Sequence, residues 1–336
     1  MRIVVVGGSG NVGTAVMRRL TAESGCDVVG VSRRAPNSDE VSWHEIDIGH
    51  PRSEPLLRAV FTGADAVVHA AWLVQPSHNE RFLRRTNVDG SARVFDAAVH
   101  AGVRHVVYLS SIGAYSPAPK GARTGETWPT SGVRSSSYSQ HKTAVERLLH
   151  SVEADNPELL VTRLRPALIL QYGAASEIQR YFLGALVPAA LFRSAAARRL
   201  PILPLPRELV LQFVHADDVA LAVLAALRSG FTGAVNLAAE PVMTPAELAR
   251  LVGARHLPVP PWLLRSVVAG SWALRLQPTE PGWIDLALSA PVMSTARARA
   301  EWGWHPARTA PEAVGELLRG LADGAGDDTP PLAPRR

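Results

Sequence analysis

The chain opens on Arg2-Ile3-Val4-Val5-Val6 and runs at once into Gly7-Gly8-Ser9-Gly10-Asn11-Val12-Gly13, after which Thr14 to Leu20 follows a helical pattern. This order leaves little choice of fold. An unbroken β-branched run suits a strand covered on both faces, as in a parallel sheet. The glycines satisfy two spacings at once, G-x-x-G-x-x-G through Gly7, Gly10 and Gly13, and G-x-G-x-x-G through Gly8, Gly10 and Gly13. Glycine permits the tight turn and lets backbone approach a pyrophosphate held on the N-terminus of the next helix. Gly7 to Gly13, with Ser9, Asn11 and Val12 between the glycines, is therefore the expected turn for a dinucleotide cofactor.

Further strand patterns recur at α/β spacing: Asp27 to Ser32, a stretch around Asp47, Ala64 to Ala70, His105 to Ser111, and Leu159 to Arg165 before Pro166. Helical stretches such as Phe82 to His100 lie between them. The alternation predicts an α/β fold, a doubly wound parallel Rossmann sheet with a smaller C-terminal substrate domain. Its expected layout is a dinucleotide-binding domain over 1–170, to which 207–238 return, a substrate domain from 171–206 and 239–322, and a frayed tail over 323–336.

At the end of the second strand, where a carboxylate would grip the ribose 2′-hydroxyl of NAD, stand Ser32, Arg33 and Arg34. Two guanidiniums there suit a 2′-phosphate, so NADP(H) is the preferred cofactor, with NAD(H) as the alternative.

The chain has 33 arginines and two lysines. One lysine, Lys142, lies four residues after Tyr138 in Ser135 to Leu149, and Ser139 to His150 has the composition of an amphipathic helix whose Glu146 and Arg147 read as solvated. Residues four apart on a helix are neighbours, so the ammonium can favour ionisation of the phenol. Bringing a tyrosine from about 10 to about 7 takes about 3 units, or about 4 kcal/mol, within reach of one close cation in a partly desolvated site. A point charge on a flexible stem can serve a phenol and a ribose hydroxyl together, whereas a planar guanidinium cannot.

Composition narrows the rest. A single cysteine, Cys26, excludes an intrachain disulfide and favours a reducing, cytoplasmic compartment. The first residues leave no room for a signal-peptide core, and the longest apolar run, Leu183 to Phe192, is broken by Gly184 and Pro188. No membrane partner is expected. The net charge is only +5, with 35 basic and 30 acidic side chains and arginines in scattered doublets, so no nucleic-acid partner is expected either. Eleven histidines without H-x-H or H-E-x-x-H spacing argue against a metal. The five late tryptophans, Trp262, Trp272, Trp283, Trp302 and Trp304, read as core.

Together these residues resemble the extended branch of the short-chain dehydrogenase/reductase family, from residue 1 to about residue 320. The motifs stand in the family's order: Asp47-Ile48, His69-Ala70-Ala71, Thr86 to Gly90, Tyr108 to Tyr115, Tyr138 to Lys142, Arg165-Pro166, Phe213 to Ala220, and Ala298 to Pro306. The resemblance implies that Tyr138 is the catalytic acid/base, that Lys142 binds the nicotinamide ribose and tunes the phenol, and that Ser111 hydrogen-bonds the substrate oxygen. It places Asp47 and Ile48 at the adenine and adds Ala70, Ala71 and Pro166 to the cofactor site. Asn87 would brace the backbone there, while His69 and His215 would be structural. It also implies a homodimer through the helices near 82–100 and 139–150.

Two departures bear on substrate. The chain reads R-P-A-L-I-L-Q-Y-G where relatives place an aromatic and a glycine sooner, which reshapes the cofactor loop. Leu211 stands where nucleotide-sugar relatives commonly carry an arginine for the diphosphate. The expected reaction is hydride transfer between NADP and a mostly apolar ketone or secondary alcohol, a small-molecule partner. Two alternatives stay open: a nucleotide-sugar epimerase or dehydratase, for which Arg180, Arg193, Arg198 and Arg199 could supply charge, and a regulator that binds dinucleotide without turnover.

Overall fold

The computed structural model describes residues 1–37, 41–183 and 188–334. Gly184, which interrupts the apolar run, and the final Arg335 and Arg336 of the tail lie outside the described residues.

Seven strands form one sheet: β1 (Arg2–Val6), β2 (Asp27–Ser32), β3 (Ser42–Glu45), β4 (Ala66–His69), β5 (His105–Leu109), β6 (Leu160–Pro166) and β7 (Gly233–Leu237). Their order is β7-β6-β5-β4-β1-β2-β3, and every pairing is parallel. Alternate residues of β1 face opposite ways. Ile3 and Val5 pack against α1 (Asn11–Thr21), while Val4 and Val6 meet the side that holds α2 (Ser53–Phe61), α3 (Gly90–His100) and α4 (Ser137–Asp155). Because both faces are covered, the strand reads as a continuous apolar run. α5 (Ala216–Ser229) packs beside α1 on the first face.

β1 pairs with β2 on one side and β4 on the other, so the winding reverses at β1. Such a reversal opens a crevice outside the strand C-termini. Leu168–Leu170, which lines that crevice, pairs in parallel with Phe213–His215, and a further short parallel pair joins Ile202–Leu205 to Arg255–Pro258. Three further helices accompany them: α6 (Pro261–Ala273), α7 (Pro281–Ser289) and α8 (Ala310–Asp323).

Three expectations need correction. The helix expected over Phe82 to His100 is interrupted by a π turn, Arg85–Asp89, and that extra residue per turn turns Asn87 toward the crevice wall. The Asn87 amide donates to Leu73 O at 2.9 Å and its oxygen accepts from Leu73 N at 2.7 Å, a brace for the segment after β4. The tail is not frayed over its described length. Leu332 is fully buried, and the Thr329 hydroxyl donates to Ser9 O at 2.8 Å, which ties the segment to the glycine turn. Trp262 is not core, since 67% of it is exposed.

Candidate active site

The glycine turn is built by close approach. Gly7 has φ +88°, and a Cβ there would fall 2.4 Å from Ala71 N; a Cβ on Gly13 would fall 2.0 Å from Gly7 O. Gly10 caps α1 with no side-chain cap, and the first turn of α1 holds no acidic residue. An added Cβ at Gly10 would meet only Gly7 O, at 3.5 Å. Uncapped amides at a dipole-positive helix end, with an open approach, fit a pyrophosphate.

These amides border a cleft of about 510 Å³ that runs along the strand C-termini. Gly7, Ser9, Gly10, Asn11, Val12 and Gly13 line it, as do Ser32 and Arg33 after β2 and Asp47 and Ile48 after β3. Ala70, Ala71, Ser111, Tyr138, Lys142 and Pro166 continue the lining toward the other end. Three expected residues are not brought to it. Gly8 faces Met17 and Trp43 instead, Arg34 lends only its carbonyl to the Ser32 hydroxyl at 2.7 Å, and Asn87 works through Leu73.

Ser111 ends the segment after β5, and its Oγ accepts from Gly113 N at 3.0 Å. Gly113 lets the Tyr138 ring close in, for a Cβ there would sit 2.8 Å from Tyr138 Cε1. Ser136 caps α4 and fixes the start of the helix that carries Tyr138 and Lys142. The Tyr138 ring lies between Trp72, centroid 5.9 Å away at 76°, and Trp283, centroid 4.7 Å away. Burial pushes the Tyr138 phenol up to about 12, with the Ser111 hydroxyl pulling it back.

That direction is opposite to the one expected from spacing. The Lys142 ammonium donates to Leu109 O at 2.7 Å and lies 3.6 Å from the Trp72 ring centroid, but 6.0 Å from that of Tyr138. Its first neighbours are a carbonyl and an indole. Burial pulls Lys142 well below the usual lysine range, and the Glu146 carboxylate opposes it.

Glu146 itself is buried, not solvated. Its Oε1 accepts from Arg165 Nε at 2.8 Å and from Ser110 Oγ at 2.5 Å, while Arg165 Nη1 donates to Tyr115 Oη and Glu126 O, each at 3.0 Å. This network fastens α4 to the ends of β5 and β6. The signal was the arginine of Arg165-Pro166, which a central strand can bury only beside a carboxylate.

Beyond Tyr138 the cleft is walled by Trp72, Leu73, Val74, Leu211, Trp283 and Leu286. Among the described residues the cations that line it are Arg33, Lys120 and Lys142; Arg180, Arg193, Arg198 and Arg199 do not. Lys120, unmarked by any motif, donates to Val210 O and Ala287 O at 3.0 Å and to Ala290 O at 2.6 Å, and burial lowers it to about 8. Arg180 donates to Pro331 O in the tail, and Pro331 lines the cleft. Glu177 also lines it, and burial raises its carboxyl to about 7, with Arg180 opposing. His69 Nε2 pairs with Ser91 Oγ at 2.8 Å, and His215 Nδ1 accepts from Asp217 N at 3.1 Å, both structural uses. No group of side chains suited to a metal occurs among the described residues.

A protein-family model described as the NAD dependent epimerase/dehydratase family matches residues 3–238. An uncharacterized protein of Mycobacterium tuberculosis is 28% identical over 319 residues, 94% of this chain and 29% of that protein. The chain thus spans under a third of the length of the first curated relatives it matches. 3 beta-hydroxysteroid dehydrogenase type 7 of Mus musculus is 31% identical over 152 residues, 41% of this chain and 40% of that protein. Among solved structures, UDP-glucose-4-epimerase of Stenotrophomonas maltophila with bound NAD and formylated UDP-arabinopyranose superposes with TM-score 0.70 at 20% identity, covering 96% of this chain and 98% of that one. At that identity the likeness is one of fold.

Proposed function

Because the chain belongs to the NAD dependent epimerase/dehydratase family, we propose that it is an NADP-preferring oxidoreductase acting on a mostly apolar ketone or secondary alcohol, with Tyr138 as acid/base. The observation that carries the substrate class is the makeup of the cleft beyond Tyr138. Its walls are apolar, and Lys120, the cation on that side apart from Lys142, spends its three donors on backbone carbonyls. A nucleotide-sugar diphosphate would bring two negative charges to a wall that, among the described residues, offers no free cation to meet them.

A bound nicotinamide would supply the hydride to the carbonyl carbon, or accept it in the reverse direction. The glycine turn and the N-terminus of α1 would hold its pyrophosphate, with Arg33 beside the adenosine ribose. Tyr138 gives its proton to the substrate oxygen as the carbonyl becomes an alkoxide, and Ser111 donates a hydrogen bond to the same oxygen. A phenol that burial keeps protonated suits the acid role, which is the reducing direction. Lys142, held by Leu109 O and Trp72, would meet the nicotinamide ribose.

No helix among the described residues is long and apolar enough to cross a membrane. Single, half-buried Cys26 fits a cytoplasmic setting. The homodimer reading uses α3 and α4 as the shared faces, and a monomer by light scattering would remove it. The decisive experiment is a turnover screen with NADPH, apolar ketones against UDP-sugars, in wild type and Tyr138→Phe. Tyr138-dependent reduction of an apolar ketone is expected. Tyr138-dependent epimerisation of a UDP-sugar would establish the rival reading instead, and NADPH binding with no turnover of any compound would favour a regulator.

A further inference from the structure

Helix α6 is mostly apolar, with Arg265 its one charge, yet none of its residues is buried. A helix of that composition normally lies inside a core or against lipid. Leu263 (40% exposed), Val267 (61%) and the C-cap Leu274 (71%) stand at positions close to multiples of a turn, and Trp262 (67%) lies exposed beside Leu263. Ile202 and Leu257, about half exposed, extend the apolar area across the paired strands Ile202–Leu205 and Arg255–Pro258. The area greatly exceeds the isolated apolar residues usual on a protein surface.

The charge around it is mostly positive, although Asp285 of α7 pairs with Arg265 of α6. Residues 178–207 and 248–279, the two segments joined by that strand pair, hold nine arginines and no aspartate or glutamate. Eight of the nine are exposed, and of those on α6 and its end, Arg265 is paired with Asp285 of α7 while Arg275 is in no ion pair among the described residues. The rest of the chain holds the remaining 26 basic and all 30 acidic side chains. A basic composition thus belongs to this lobe alone.

We propose that this face docks on the surface of a bilayer containing anionic phospholipid, with Trp262, Leu263, Val267 and Leu274 entering the headgroup boundary and the surrounding arginines meeting phosphates. The helix is about 20 Å long, too short to span a bilayer and suited to lying on one. A second copy is the poorer cover. A symmetric interface sets a patch against itself, which would bring arginine against arginine, with Asp285 already occupied by Arg265. An anionic lipid surface supplies the missing sign.

The position gives the docking a use. Trp272 of α6 stacks on His78, ring centroids 3.5 Å apart, and His78 follows Val74 and Gln75 in the cleft wall. α7, the next helix, contributes Trp283 and Leu286 to the same apolar end. A docked α6 would place that end beside the bilayer and admit an apolar substrate from it. This delivery rests on the apolar-substrate reading; the docking rests on exposure and charge.

The test is flotation of the purified chain with vesicles of phosphatidylcholine alone or mixed with phosphatidylglycerol. The wild type should float with the mixed vesicles and lose at least about tenfold in partition when salt rises from about 0.05 to about 0.5 M. The combined Trp262→Ser, Leu263→Ser, Val267→Ser and Leu274→Ser variant should lose at least about tenfold at low salt while keeping its melting temperature and NADPH affinity. Should that variant fail to fold, Arg255→Glu with Arg275→Glu should give the same loss. Absence of the wild type from anionic vesicles overturns the proposal. So does light scattering that shows the serine variant splitting an oligomer while vesicles bind neither form, for then a second copy covers the face. Binding is measured without substrate, so a UDP-sugar activity would leave the docking standing.

Discussion

The Lys142 ammonium lies 3.6 Å from the centroid of the Trp72 ring, nearer than to the centroid of the tyrosine ring one helical turn before it. The indole and Leu109 O together hold a cation that burial disfavours. A desolvated cation on an indole face is worth about 2 kcal/mol. Trp72→Leu should therefore lower kcat/KM about tenfold or more with unchanged melting temperature, and Trp72→Phe should recover most of it. Steady-state kinetics check both, and equal rates in wild type and Trp72→Leu would show that the indole does not position Lys142.

The Glu146 and Arg165 pair is buried on both sides, with side-chain exposures of 5% and 6%. Removing one partner leaves a buried charge unpaired. Glu146→Ala should destabilise the fold by about 3–5 kcal/mol in urea titration, and replacing both with apolar residues of similar volume should cost less.

The same pair marks where the sequence is readable and where it is not. β1, the glycine turn and α1 were legible because each depends on neighbours along the chain: apolar run, Gly7 and Gly13 in tight approach, then helix. The meeting of Ser111, Tyr138 and Lys142 at one cleft was legible from motif order. Where Lys142 points was not, since its partners come from distant parts of the chain, Leu109 from β5 and Trp72 from the segment after β4. Glu146 looked solvated by helical periodicity, which counts apolar residues and is blind to a buried ion pair. The tail looked disordered by composition, because the contacts of Thr329 and Leu332 are made with the distant glycine turn and with the tail's own fold.

Cofactor choice follows from Arg33, which lines the cleft after β2 where a ribose-binding carboxylate would stand in the sequence. NADPH should bind at least about tenfold tighter than NADH, as one charge-assisted contact supplies about 1.5 kcal/mol or more. Arg33→Ala should remove most of the preference and Arg34→Ala little, because Arg34 does not line the cleft. Fluorescence titration decides, and equal affinities in the wild type would end the claim.

Glu177 gives a pH dependence. Burial raises its carboxyl from 4.5 to about 7, so the folded chain holds a proton there that the unfolded chain has released. Its contribution to stability is complete below about pH 4.5 and lost as pH rises through about 7. Glu177→Gln keeps the shape and cannot ionise. It should match the wild type within about 0.5 kcal/mol at pH 4.5 and exceed it by about 2–3 kcal/mol at pH 8, in urea titrations at the two values. Equal stability at pH 8 would mean that Arg180 holds the carboxylate ionised.

The tail supplies the last test. Thr329 bonds to Ser9 O in the glycine turn, Arg180 to Pro331 O, and Pro331 lines the cleft, so the segment after α8 forms part of the cleft wall. Leu332, fully buried, pins it there. A wall attached at few points can open, and its removal should speed release more than it slows capture. Ending the chain at Asp323 should raise the dissociation rate of NADPH about tenfold with association changed less than about threefold, by stopped-flow fluorescence. Thr329→Val, which removes one hydrogen bond, should raise it about twofold to fivefold. The truncated chain must first keep its melting transition, since Ser176 N also bonds to Ala325 O at 3.0 Å. If it does and the release rate is unchanged, the tail covers the turn without retaining the cofactor.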